Sequence, residues 1–136
     1  MKNNILLVED DEFNVELIAK LLRSQAEFSY ELKIAQNGKQ ALEIMDLFVP
    51  DVIILDLKMP VMDGKTFLEE LKKLNGRFRN TKVIVCSAYA SIEEQHEILN
   101  LGAELFVQKI NISKILIKTV EHNLRKEFNT NYLMAY

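Results

Sequence analysis

Four short apolar runs limit the folds open to this chain of 136 residues more than any other feature: Ile5-Leu6-Leu7-Val8, Val52-Ile53-Ile54-Leu55, Val83-Ile84-Val85-Cys86 and Leu105-Phe106-Val107. Each is brief and mostly β-branched or aliphatic, which suits strands better than helices. Leu32-Lys33-Ile34-Ala35 is a weaker fifth. Amphipathic stretches lie between them. Phe13, Leu17, Ile18, Leu21 and Leu22 share one helical face, as do Ala41, Leu42, Met45 and Phe48. Phe67, Leu68, Leu71 and Leu74 form another such set, and Ile112, Ile115, Leu116, Thr119 and Leu124 the last. The stretch from Ser91 to Leu101 is more polar, with Ile92, Ile98, Leu99 and Leu101 supplying most of its grip. Ser91 followed by Glu94 reads as a capping box and Gly102 as the helix stop. This is the least anchored helix.

Strands that are apolar throughout, alternating with helices, imply a parallel sheet covered on both faces. Right-handed crossovers then restrict the winding. The expected class is α/β: a flavodoxin-like, doubly wound sheet of five strands in the order 2-1-3-4-5, with five helices. Residues 1–128 read as one domain and 129–136 as a tail. Leu124, Phe128 and Tyr132 keep helical spacing, so the tail is read either as an extension of the last helix or as a frayed end.

A net charge of -3 argues against a nucleic-acid surface. The basic run Lys72, Lys73, Arg77, Arg79 and Lys82 reads as a solvated loop. Cys86 is the single cysteine, so neither an internal disulfide nor a cysteine zinc site can form, which fits a reducing compartment. Ile5 to Val8 is too short, and too soon followed by acids, for a secretory signal. No apolar run approaches the ~18–20 residues of a membrane span. The expectation is a cytoplasmic chain.

In an open parallel sheet the residues just after each strand emerge on one rim, where ligands bind. Those positions are Glu9-Asp10-Asp11, Asp56, Ser87 and Lys109. Clustered carboxylates at the edge of a core cannot all ionise cheaply unless a cation joins them. Oxygen-only donors with room for water suit magnesium. Phosphoryl transfer asks a protein mainly for positioning and charge neutralisation, and a carboxylate can be its nucleophile. Asp56, between the other acids and Lys109, is the natural acceptor.

The blocks "ILLVEDD", "VIILDLKMPVMDG", "VIVCSA" and "LFVQK" occur in the order found in receiver domains of two-component response regulators, which the chain resembles over roughly residues 4 to 125. That resemblance implies that Asp10 and Asp11 are the acidic pair and that Asp56 takes a phosphoryl group from a phosphohistidine donor. Asp11, Asp56 and the Lys58 carbonyl would hold Mg2+ directly, with Asp10 acting through water. Ser87 would contact the phosphoryl group, Phe106 would be the aromatic switch, and Lys109 the lysine of the site. Lys58 and Tyr89 occupy positions that tune the attacking water, and Tyr89 is expected to cover the site in part. The implied protein is a regulatory phosphoacceptor, not an enzyme beyond its own phosphorylation and dephosphorylation. Its donor would be a histidine kinase or histidine phosphotransfer protein. Its output would be a protein target or a second copy, read from the face made by the fourth helix, fifth strand and fifth helix, with no direct contact to nucleic acid or membrane.

Two features depart from the family pattern. Ile110 stands where proline is usual, so a trans bond after Lys109 is expected. Phe106 replaces the commoner tyrosine and lacks its hydroxyl. Two rivals remain at this level. An aspartyl-nucleophile phosphatase of the haloacid-dehalogenase type would need a second Asp where Lys58 stands, and a phosphorylation-independent module would keep the fold without the chemistry. Both a complete stand-alone protein and a piece of a hybrid kinase fit "VEDDEFNVELI".

Overall fold

The chain is seen in a computed structural model that describes residues 2–74 and 76–124. The expected helical continuation through Phe128 and Tyr132 lies outside the described residues. The elements alternate as β1 (Asn3–Val8), α1 (Glu12–Gln25), β2 (Tyr30–Ala35), α2 (Gly38–Met45), β3 (Val52–Leu55) and α3 (Gly64–Lys73). They continue as β4 (Lys82–Ser87), α4 (Ile92–Asn100), β5 (Leu105–Gln108) and α5 (Ile112–Leu124), with a 3-10 turn at Lys109–Asn111 before α5. All neighbouring strands are parallel, in the order β2-β1-β3-β4-β5, as the strand pattern predicts.

The central strands are buried on both faces because their side chains alternate between two cores. Leu6, Val8, Ile53, Leu55, Val83 and Val85 point to the side covered by α2, α3 and α4. Ile5, Leu7, Val52, Ile54, Ile84 and Cys86 point to the side covered by α1 and α5. The edge strand β2 is longer than its apolar run, because pairing of Asn3 with Tyr30 extends the ladder into polar sequence.

Helix faces are narrower than the sequence pattern implies. Ile18, Leu21 and Leu22 of α1 are buried, yet Phe13 is 73% exposed. In α4 only Ile98 is buried; Ile92 and Leu99 are exposed. Leu74 forms the C-cap of α3 and is exposed, and Phe48 packs into the core from beyond the end of α2. The stop signal of α4 is met: Gly102 has φ +106°, a left-handed conformation that glycine adopts without steric cost. No described helix is long and apolar enough to cross a membrane.

Gly64 opens α3 where there is no room for a side chain. A Cβ there would stand 2.5 Å from the Asp56 carbonyl oxygen and 2.8 Å from Leu57 Cα, both backbone. At Gly38 the nearest atoms, 2.8 and 2.9 Å away, belong to the flexible Met62 side chain. Gly64→Ala should therefore cost about 1–3 kcal/mol through overpacking. Gly38→Ala should cost less, because Met62 can move and alanine favours the helix. Thermal unfolding of the two variants checks this, with Gly64→Ala expected to melt lower.

Candidate functional site

Strand register brings the site together. Val8 pairs with Leu55, so Glu9 and Asp56 leave the sheet side by side. Ser87 pairs with Gln108, so Lys109 follows directly on the neighbouring strand. The Asp56 N–H donates to the Val8 carbonyl at 3.0 Å and the Glu9 N–H to the Ala35 carbonyl at 2.9 Å, extending the ladders past the strand ends. The buried ends of β1 and β3 thus fix the backbone of both acids.

Lys109 Nζ lies 2.9 Å from Glu9 Oε2 and 3.4 Å from Asp56 Oδ1. The other Glu9 oxygen, Oε1, accepts from the Asp11 N–H at 3.2 Å. Glu9 and Asp56 are 2% and 4% exposed, so water screens these charges little. Burial pushes the pKa of both carboxyls up, against the opposing pull of Lys109. Burial also works against the Lys109 ammonium, but the hydrogen bond to Glu9 and the charges of Asp56 and Glu9 together outweigh it, and its pKa rises. Among the described residues the buried Asp56 Oδ1 has no hydrogen-bond partner, and Lys109 stands 3.4 Å away as an ion-pair partner. Beside them, burial pushes the Cys86 thiol up to about 12, which leaves it protonated and inert at neutral pH.

Glu9, Asp10 and Asp56 each present a carboxylate oxygen, all within 4.8 Å of one another. Asp11, expected in the acidic pair, is not in this group. Its side chain turns away to cap α1, accepting from the Phe13 N–H at 2.9 Å. Glu9 takes its place in the cluster. The signal was available: an Asp just ahead of the acidic first turn of a helix is a capping residue, which moves the pair one residue upstream.

The remaining expected residues lie around this cluster. Ser87 is buried at the end of β4 and Phe106 is partly buried against the α2–α3–α4 core. The Lys58 side chain pairs with Glu94 of α4 at 3.6 Å. Tyr89 is exposed, and among the described residues no hydrogen bond ties it to the carboxylates. No described peptide bond is cis, so the Lys109–Ile110 bond is trans, and Ile110 is exposed within the 3-10 turn. Asp63 is the N-cap of α3, accepting from the Thr66 N–H at 2.9 Å. Asp56 to Asp63 therefore form the loop between β3 and α3, with Val61 at φ 67° near its tip. His96 is exposed and His122 half-buried, and neither joins the cluster.

Residues 5–121 match the family of response regulator receiver domains. The chain belongs to that family. Chemotaxis protein CheY of Halobacterium salinarum is 28% identical over 109 residues, covering 80% of this chain and 86% of that protein. Sporulation initiation phosphotransferase F of Bacillus subtilis is 32% identical over 103 residues, covering 76% of this chain and 79% of that protein. Hybrid signal transduction histidine kinase B of Dictyostelium discoideum is 32% identical over 131 residues, but the chain spans only 6% of its length. Among solved structures, a CheY-like receiver domain from Methanospirillum hungatei superposes with TM-score 0.79 at 27% identity, over 91% of this chain and 94% of that one. Membership sets aside the phosphatase reading: this receiver domain is a regulatory module of two-component signalling.

The raised pKa of Asp56 carries a stability consequence for the metal-free receiver domain. The unfolded Asp ionises near 3.8 and the folded one only at higher pH. As pH rises through that gap the unfolded state sheds its proton first, so the native chain loses stability. Asp56→Asn escapes this loss. Its melting temperature should exceed that of the native chain at neutral pH, with the gap closing on acidification toward the ordinary Asp range. Melting curves in chelator across that range measure it.

Proposed function

We propose that Asp56 is the phosphoacceptor of a signalling switch, charged by a phosphohistidine on a histidine kinase or phosphotransfer protein. The observation that carries this reading is a buried strand-end carboxylate whose Oδ1 lacks a hydrogen-bond partner, set between an ammonium and two further acids. In the transfer an Asp56 oxygen attacks phosphorus, the P–N bond to the donor imidazole breaks and a P–O bond forms. The donor histidine leaves as neutral imidazole after taking up a proton. Lys109 offsets charge on the arriving phosphoryl oxygens, and Ser87 supplies a hydroxyl at the neighbouring strand end.

The donor set is all oxygen and one of its atoms is unsatisfied, which fits a hard divalent cation. Glu9, Asp10, Asp56 and the Lys58 carbonyl are the groups that would hold Mg2+. When bound, the cation neutralises the acids and the phosphoryl oxygens. Glu9 and Asp10 bring the negative charge that makes such an ion welcome, and Asp56 is held still by its ladder hydrogen bond to Val8.

The output is a change in affinity for a protein target, or for a second copy, at the face made by α4, β5 and α5. Phe106 follows Ser87 toward the phosphoryl group and vacates space against α4. Lys58 and Tyr89 govern how long the acyl phosphate survives attack by water. The placement of such a module in the cytoplasm accords with a donor kinase there.

Acetyl phosphate with magnesium should add one phosphoryl group to the native chain and none to Asp56→Asn, read by intact mass. Labelling of Asp56→Asn to the native extent would sink the assignment, and a native chain that never labels would favour a silent module. A second expectation separates Glu9 from Asp11. Glu9→Gln should weaken magnesium binding about tenfold or more, as loss of one carboxylate from the set implies. Asp11→Ala should lower stability by about 0.5–2 kcal/mol through the lost cap and leave magnesium affinity near native. Calorimetric titration with magnesium, beside thermal unfolding, checks both.

A further inference from the structure

α4 is tied to the domain more by charge than by apolar surface. Ile98 alone among its residues is buried. Its acidic side faces two lysines: Glu94 Oε2 lies 3.6 Å from Lys58 Nζ, and Glu97 Oε2 lies 2.5 Å from Lys65 Nζ. Lys65 belongs to the first turn of α3, and Lys58 to the loop two residues after Asp56. A seam of ion pairs therefore joins the loop that carries the acceptor to the first turns of α4. Glu94 also completes only half of its capping box. Its N–H donates to Ser91 Oγ at 3.1 Å, but its carboxylate reaches for Lys58.

Lys58 is the member of the seam with a choice of partners. Its side chain is 73% exposed against 28% for Glu94, on a flexible stem that holds a compact charge. An exposed pair of this kind is weak and screened by salt. A phosphoryl group on Asp56 brings further negative charge to the same loop and competes for the ammonium. We propose that Glu94 is a positioning residue acting through Lys58. It holds the ammonium on α4 while Asp56 is free and cedes it when the phosphoryl group arrives. Charge gained at Asp56 thereby loosens the first turn of α4, by a route that does not pass through Phe106. This rests on Asp56 being the phosphoacceptor.

The test follows labelling by acetyl phosphate and magnesium in the native chain, E94Q, E94D, K58M and the E94Q/K58M double variant, all intact-mass measurements. E94Q should label about two- to fivefold faster, the range an exposed pair can supply. E94D should stay near the native rate. In the K58M background E94Q should add nothing, and added salt should narrow the gap between native and E94Q. In metal-free protein, amide exchange in the first turn of α4 should quicken in E94Q. Native-like labelling of E94Q, or the same acceleration with Lys58 replaced, overturns the proposal. A native chain that takes up no phosphoryl group overturns the phosphoacceptor reading and this proposal with it, an outcome recognised because none of the variants labels either.

Discussion

The ion cluster of Lys109, Glu9 and Asp56 is the constraint around which the rest of the domain is arranged. Two carboxylates at 2% and 4% exposure are costly to ionise, and the one ammonium between them sits nearer to Glu9 than to Asp56. Lys109 closes on Glu9 and only approaches Asp56. The cost is tolerable because the residues just before each acid, Ile5 to Val8 and Val52 to Leu55, are apolar, buried and packed in two cores. Breaking the cluster by removing Lys109 would leave two buried acids in contact.

The frame around it explains why neutralisation is left incomplete. Asp56 is fixed from behind by its ladder bond to Val8, and its carbonyl fills the space that a side chain at residue 64 would need. Asp56 thus has little freedom to withdraw from charge by moving. Its pKa rises instead, and the remaining demand is for a cation or an electrophile.

Much of this was legible in the sequence, and the failures share a cause. Strand identity followed from period and residue type, because central strands read as unbroken apolar runs; β2 was the weakest because an edge strand needs apolar residues on fewer positions. The Ser91 cap and the Gly102 stop rest on local chemistry and are present, although Glu94 turns to Lys58 and leaves the capping box half made. Asp10, Asp56 and Lys109 were placed on one rim by topology alone. Asp11 was misplaced because three consecutive acids offer two registers for the pair, and only the start of α1 decides between them. Spacing puts Phe13 on the apolar face of α1, and apolar type alone puts Ile92 among the residues that grip α4, yet each lies in the first turn of its helix, beyond the reach of the core. The ion pair between Lys58 and Glu94 had no signal in the sequence, since it joins two surface groups whose distance depends on how α4 leans.

The strict alternation along the strands has a mechanical corollary. Phe106 belongs to the α2–α3–α4 side and Val107, its successor, to the α1–α5 side. The sheet is a partition one residue thick. Repacking around Phe106 can proceed in one compartment while the other, with Cys86 and the long apolar seam of α5, keeps its packing and anchors the domain.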